Sequence, residues 1–369
     1  MSEVIKIANC SGFYGDNLSI AKKMVEGGPI DVLTGDYLAE LTMTILYNQK
    51  MKRGENLGYV GTFLKQFRDV AKLCNDQNIK IVSNAGGLNP ASMAAEVENI
   101  IKELNLDLKV AYIDGDDLMP RLDELSSSGE KLKNIDKNND LFSYEKKPLT
   151  ANAYLGAWGI KEALDNGADV VICPRVTDAA VVIGPAAWKF NWSRNDYDQL
   201  AGALAAGHII ECGAQATGGN YSFFKEVPTF KDIGYPIAEI NQDGSFIITK
   251  HPNTGGLVSV GTVTAQLLYE IGSPAYVNPD VISHFDTLKI EQEAEDRVFV
   301  SGCRGSSPPK DHKVCINLAG GFRNGTELLL TGLDIEEKAK LITDTIFDSV
   351  GGKEPVSYTH LTLPTTDRV

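Results

Sequence analysis

Short runs of consecutive apolar residues alternate along the chain with longer stretches whose apolar positions return every three or four residues. The runs at 4–9, 30–33, 79–82, 108–113 and 168–173 are too short for helices and read as buried strands. Helical spacing marks 18–25, 39–52, 62–75, 91–104, 153–166 and 197–210; in the third it is carried by Phe63, Leu64, Phe67, Val70, Ala71 and Cys74. This rhythm predicts an α/β fold with a mainly parallel sheet flanked by helices. Residues 126–149 interrupt it with Ser, Asn, Asp and Lys and read as an exposed insertion or lid. Beyond about residue 230 the texture turns β-rich. Runs at 236–240 and 246–250 flank the turn sequence NQDGS and predict a hairpin, followed by a helix over 260–271, strands at 287–291, 297–301 and 313–318, and a last helix over 335–350. The expected division is an α/β domain over 1–230, a β-rich C-terminal lobe over 231–354, and a non-native tail over 355–369. Residues 356–366 of that tail continue no pattern and resemble translated sequencing adapter.

Apolar residues make up 43% of the 369 positions, enough for a substantial core. Net charge is 35 − 49 = −14, which argues against nucleic acid or an anionic membrane as a partner. The six cysteines show neither C-x-x-C nor zinc spacing, and no three His or carboxylates have metal-ligand spacing, so no metal is expected. The first strand begins so early that no signal peptide is read before it, and no apolar run approaches the ~20 residues of a membrane helix. These features predict a cytoplasmic protein with reduced thiols.

Four stretches carry candidate chemistry. Gly12 to Asn17 follows the first strand; its glycines let backbone approach a ligand or simply turn the chain, and it matches neither a dinucleotide fingerprint nor a phosphate loop. Residues 84–89 follow the third strand and open a helix. Asn84, Gly86 and Gly87 there are expected to offer backbone N–H groups to an anion, with Asn89 as the cap and Pro90 in the first turn. Residues 173–178 repeat the strand-loop-helix form with Arg175, Thr177 and Asp178. Arg175 suits a carboxylate or phosphate. Asp178 is open to three roles: partner of Arg175, helix cap or base. In the fourth stretch His208 and Glu211 stand three apart, on one face of a helix, and are the candidate general acid or base. Cys212 is a nucleophile only with a partner that lowers its pKa. Thr217, Gly218, Gly219 and Asn220 follow, and Thr254, Gly255 and Gly256 repeat the Thr-Gly-Gly; the two turns are expected to face one cleft.

Taken in order, residues 84–89, 174–180, 184–186, 200–220, 234–239, 243–250 and 254–256 resemble the acyclic terpene utilisation (AtuA-type) family over roughly 4–350. The resemblance implies a bacterial catabolic protein of citronellol- and geraniol-type terpene breakdown, handling branched acids or their CoA thioesters. It also implies a small further domain in full-length members. It carries no agreed catalytic residues. The favoured expectation is an enzyme of hydratase, lyase or hydrolase type on a small anionic substrate, with no cofactor beyond coenzyme A as part of that substrate. The alternative is a non-catalytic binding or assembly subunit of an acyl-CoA catabolic complex. Homo-oligomers and association with an acyl-CoA carboxylase or hydratase are left open.

Overall fold

The structure is a computed structural model and describes residues 4–321 and 325–351. The expected tail over 355–369 falls wholly outside the described residues. The chain forms one compact unit through Ala319 and a second from Gly320, in which the helix Ile335–Ser349 is described.

The first unit is built on one sheet. Strands β1 (Val4–Asn9), β2 (Val32–Gly35), β3 (Lys80–Ser83), β6 (Val170–Ile172) and β4 (Val110–Tyr112) lie side by side in that order, all parallel. Alternate residues of these strands enter two different cores, as the period of two requires. Ile5, Ile7, Val32, Val82 and Val171 face α6 (Trp158–Asp165), α7 (Ala180–Phe190) and α8 (Tyr197–Ile210). Ala8, Leu33, Ile81, Val170 and Ile172 face α1 (Ile20–Glu26), α2 (Glu40–Arg53), α3 (Gly61–Gln77) and α4 (Pro90–Glu103). Helices on both faces explain why the strands read as unbroken apolar runs.

On the far side of β1 the sheet becomes antiparallel. It continues through β7 (Pro236–Asn241), β8 (Phe246–Lys250), β12 (Arg297–Ser301) and β11 (Lys289–Ala294). The β-rich segment after residue 231 thus extends the same sheet, and Ala238, Ile240, Phe246, Ile248, Val298 and Val300 join the core beneath α8 and α9 (Val260–Leu267). A small antiparallel sheet of β9 (Ala275–Val277), β10 (Ile282–His284) and β13 (Arg304–Ser306) packs on α8.

Two stretches differ from the sequence reading. The helix expected over 153–166 begins only at Trp158, because Pro148–Ala153 is a strand, β5, paired antiparallel with β14 (Val314–Leu318). The insertion expected over 126–149 accordingly holds the end of α5 (Leu122–Ser127) and the start of β5. Among the described residues no helix is long and apolar enough to cross a membrane.

Helix α8 sets the position of the site. Every residue from Leu200 to Ile210 is buried, and its Ala and Gly positions let neighbours approach closely. A Cβ on Gly207 would stand 2.8 Å from Ala179 Cα, so only glycine fits that crossing with the start of α7.

Candidate active site

Parallel strands of an α/β sheet send their carboxyl ends to one edge, where their connecting loops gather. Here the loops after β1, β2 and β6 line a cleft of about 500 Å³. They contribute Gly12 and Phe13, Asp36 with Leu38 to Glu40, and Arg175 with Thr177 to Ala179. Glu211 and Cys212 enter at the end of α8, Tyr269 and Glu270 after α9, Tyr276 to Pro279 from β9, and Tyr154 with Pro309 and Asp311 to Lys313 complete the wall.

Glu211 is the most constrained carboxyl in this cleft. It follows the last turn of a helix buried from Leu200 onward, and Asn9 at the end of β1 donates from Nδ2 to the carbonyls of Ile210 (2.7 Å) and Glu211 (2.9 Å). That amide clamps an end whose carbonyls have no intrahelical partner. On the other side Gly12 lies so close that a Cβ there would come within 2.6 Å of the Cys212 carbonyl carbon. Behind Glu211 stands His208, whose Nδ1 is 3.2 Å from Oε1. The residue is 1% exposed and its ring packs against both Tyr276 and Phe285, with centroids 5.1 and 5.6 Å away. Neither ring nitrogen makes an aligned hydrogen bond among the described residues, so the contact with Glu211 is an ion-pair contact rather than a directed bond.

Burial pushes the Glu211 carboxyl up to about 7; His208 opposes the rise, and the charges of Asp178 and Glu270 add to it. Burial alone would lower His208, but the charge of Glu211 holds it above its ordinary value. The pair therefore retains a proton near neutrality. Asp36 is also raised well above the carboxylate range, by burial first and then by Asp178 and Glu211.

Arg175 is the buried cation of the cleft, 2% exposed. Its guanidinium lies over the Tyr154 ring, 4.2 Å from the centroid, and donates to the carbonyl of Leu38 and, at 3.1 Å, to Asp178. Burial works against its charge, but Asp178, Tyr154 and Asp36 raise its pKa beyond the ordinary arginine value. Nε has no partner among the described residues. Tyr154 in turn donates its hydroxyl to Glu40, and Lys313 sits 3.4 Å from the same carboxylate. Burial would raise Glu40, yet the Tyr154 hydroxyl, its own backbone amide and Lys313 bring it down to about 2.

The residues singled out from sequence fall into three groups. Arg175, Thr177, Asp178 and Glu211 line one cleft, with Cys212 beside them. Burial raises the Cys212 thiol, and no neighbour lowers it, so its thiol stays protonated. His208 does not line the cleft; it backs Glu211 and Tyr276, which do. Asn84 is fully buried one layer back; its Nδ2 donates to Asp36 at 2.6 Å while its Oδ1 accepts from the Tyr37 amide, so it holds a cleft carboxyl in place.

The glycine loops serve the fold. In the 84–89 loop, Gly86 N–H binds the Cys173 carbonyl at 3.0 Å, Gly87 binds Asn84, and Leu88 binds Gly58. These amides already have partners inside the protein. Gly87 keeps the positive φ that the turn needs, at 53°. The two Thr-Gly-Gly turns do meet, but on each other: Leu257 N–H binds the Thr217 carbonyl at 2.8 Å, and Thr217 Oγ1 binds that of Gly234. Gly218, Gly219 and Asn220 donate back to Gln215 and Ala214, Gly255 and Gly256 donate to Asp232 and Thr229, and Thr254 Oγ1 donates to the His251 carbonyl. Asp36, Glu40, Tyr154, Tyr276 and Glu270 were not singled out. Asp36 alone carried a readable signal, following a buried strand at its carboxyl end just as Arg175 does.

The chain matches the family model described as acyclic terpene utilisation family protein AtuA over residues 5–367. It belongs to that family. Membership ties the chain to acyclic terpene utilisation. Comparison with curated proteins and with solved structures finds no match. Among the described residues no cluster of three or more His, Cys, Asp or Glu could hold a metal ion.

Proposed function

We propose that this protein is an enzyme of acyclic terpene breakdown that moves a proton on a branched acyl compound, with Glu211 as the group that takes and returns it. One observation carries the reading: a carboxyl with its pKa near 7, on a backbone held by Asn9, backed by His208 and open to a cleft of about 500 Å³. A general base works best when its pKa lies near the working pH. A carbonyl acidifies its α-proton, so removal by Glu211 places charge on the carbonyl oxygen, and Arg175 supplies positive charge to that side of the cleft. Loss of a β-hydroxyl as water after the α-proton is taken, or the reverse addition, gives a hydratase or lyase outcome; activation of water against the acyl carbon, with the alcohol or thiol leaving, gives a hydrolase outcome. The apolar chain of the substrate packs against Phe13, Leu38, Tyr276 and Val277. Coenzyme A fits this reading as part of the substrate.

A second reading, a binding or assembly subunit of an acyl-CoA catabolic complex, is favoured by exposed aromatic side chains between helices α8 and α9. Phe223, Phe224 and Phe230 are 65%, 58% and 47% exposed. Incubation with a panel of branched acyl-CoAs and free acids, read by mass spectrometry, separates the two. Turnover that disappears in Glu211→Gln while binding persists supports the enzyme. No turnover of any member, together with tight association to a carboxylase or hydratase, supports the subunit and sinks the catalytic reading.

A further inference from the structure

The charge of the cleft constrains the form in which a substrate can enter. Asp36, Glu40, Asp178, Glu211, Glu270 and Asp311 all line it. Against them the wall offers two fixed cations, Arg175 and Lys313, and each already faces a carboxylate: Arg175 lies 3.1 Å from Asp178 and Lys313 lies 3.4 Å from Glu40. The backbone amides that would have compensated an anion, those of the 84–89 loop, are bound within the fold. Glu270 and Asp311 are exposed and appear in no ion pair among the described residues, so the wall of the cleft carries two uncompensated negative charges.

We propose that the cleft takes its substrate with the acid group masked, as an ester or thioester, and rejects the same branched acid as a free carboxylate. This rests on the reading of the cleft as the substrate site. A carboxylate entering here meets the unpaired charges of Glu270 and Asp311 and only cations that already face a carboxylate, whereas a neutral carbonyl meets none of that repulsion and still gains the aromatic walls of Tyr154, Tyr269 and Tyr276. One uncompensated like charge at contact range in a partly buried setting reduces affinity by about tenfold. The inference narrows the substrate class: the reaction that supplies this protein must be one that esterifies or thioesterifies a branched acid.

The test compares geranic acid with its methyl ester and its N-acetylcysteamine thioester, by calorimetric titration at one pH above neutrality. Both masked forms are expected to bind at least about tenfold more tightly than the free acid. The double variant Glu270→Gln/Asp311→Asn removes two exposed wall charges without touching the core. It is expected to tighten the free acid at least about threefold more than it changes either masked form. A free acid that binds as tightly as its ester, a double variant that shifts all three ligands equally, or no binding of either masked form overturns the inference. Binding is measured without turnover. Discrimination with no reaction on any substrate therefore defeats the catalytic reading while leaving this one standing.

Discussion

Glutamine at position 211 keeps the shape of the side chain and removes its titration, so it isolates the role of one buried carboxyl. In the folded protein that carboxyl titrates at about 7 against an ordinary value of 4.5. The difference of roughly 2.5 units corresponds to about 3 kcal/mol at about 1.4 kcal/mol per unit. His208 is shifted in the same upward direction by its partner. A raised pKa means that the folded pair holds more protons than the unfolded chain between about pH 4.5 and 7, so this contribution to stability is full below that window and is lost as pH rises through it. Above pH 7 the wild type carries the whole penalty of an ionised buried carboxylate. Glu211→Gln lacks it, and its His208, now buried without a charged partner, prefers the neutral form and gains stability as pH rises. Urea unfolding of both proteins at about pH 5 and about pH 8.5 is the assay. The variant is expected to gain about 3 kcal/mol on the wild type between the two. Stability curves that run parallel across that range would refute the raised Glu211 titration and the coupling to His208 together.

Three other substitutions probe what holds the site. Asn9→Ala leaves the carbonyls of Ile210 and Glu211 without their shared donor; a loss of about 1–3 kcal/mol in unfolding free energy is expected, with a larger fall in kcat than in substrate affinity. Gly12→Ala drives a methyl against the backbone of Cys212, and thermal unfolding should show a loss of about 1–3 kcal/mol. Arg175→Met leaves the partly exposed Asp178 and the buried Leu38 carbonyl without their donor, for an expected loss of about 1–3 kcal/mol by urea unfolding.

Much of the fold could be read from periodicity, because its strands are buried on both faces and its helices on one. Helix α8 was bounded at 197 and 210 as observed, since its small residues and leucines run unbroken to a charged end. The hairpin of β7 and β8 followed from its Asp-Gly turn. Strand β5 was missed: Leu149, Ala151 and Ala153 form a weak apolar pattern, and the strand exists because β14, some 160 positions away, pairs with it. Helix α7 was implied by the strand-loop-helix form at 173–178, but its extent was not, since it holds Gly184 and Pro185, which packing between α6 and α8 accommodates. At the site, Arg175, Asp178 and Glu211 stood out because charge inside an apolar stretch needs a reason. The amides of the 84–89 loop looked free because a sequence names the donors of a turn but not their acceptors. Those acceptors, Cys173 and Gly58, come from other loops. Tyr154 and Tyr276 reach the cleft from distant segments and have no local signature.

The central claim is that Glu211 holds its proton into the neutral range at the wall of this cleft. Infrared difference spectra of wild type minus Glu211→Gln, taken across pH, report that proton through the stretch of a protonated carboxyl. The account predicts a band present at about pH 6 that fades with a midpoint near 7. A midpoint near the ordinary glutamate value, or no such band at about pH 6, would contradict it.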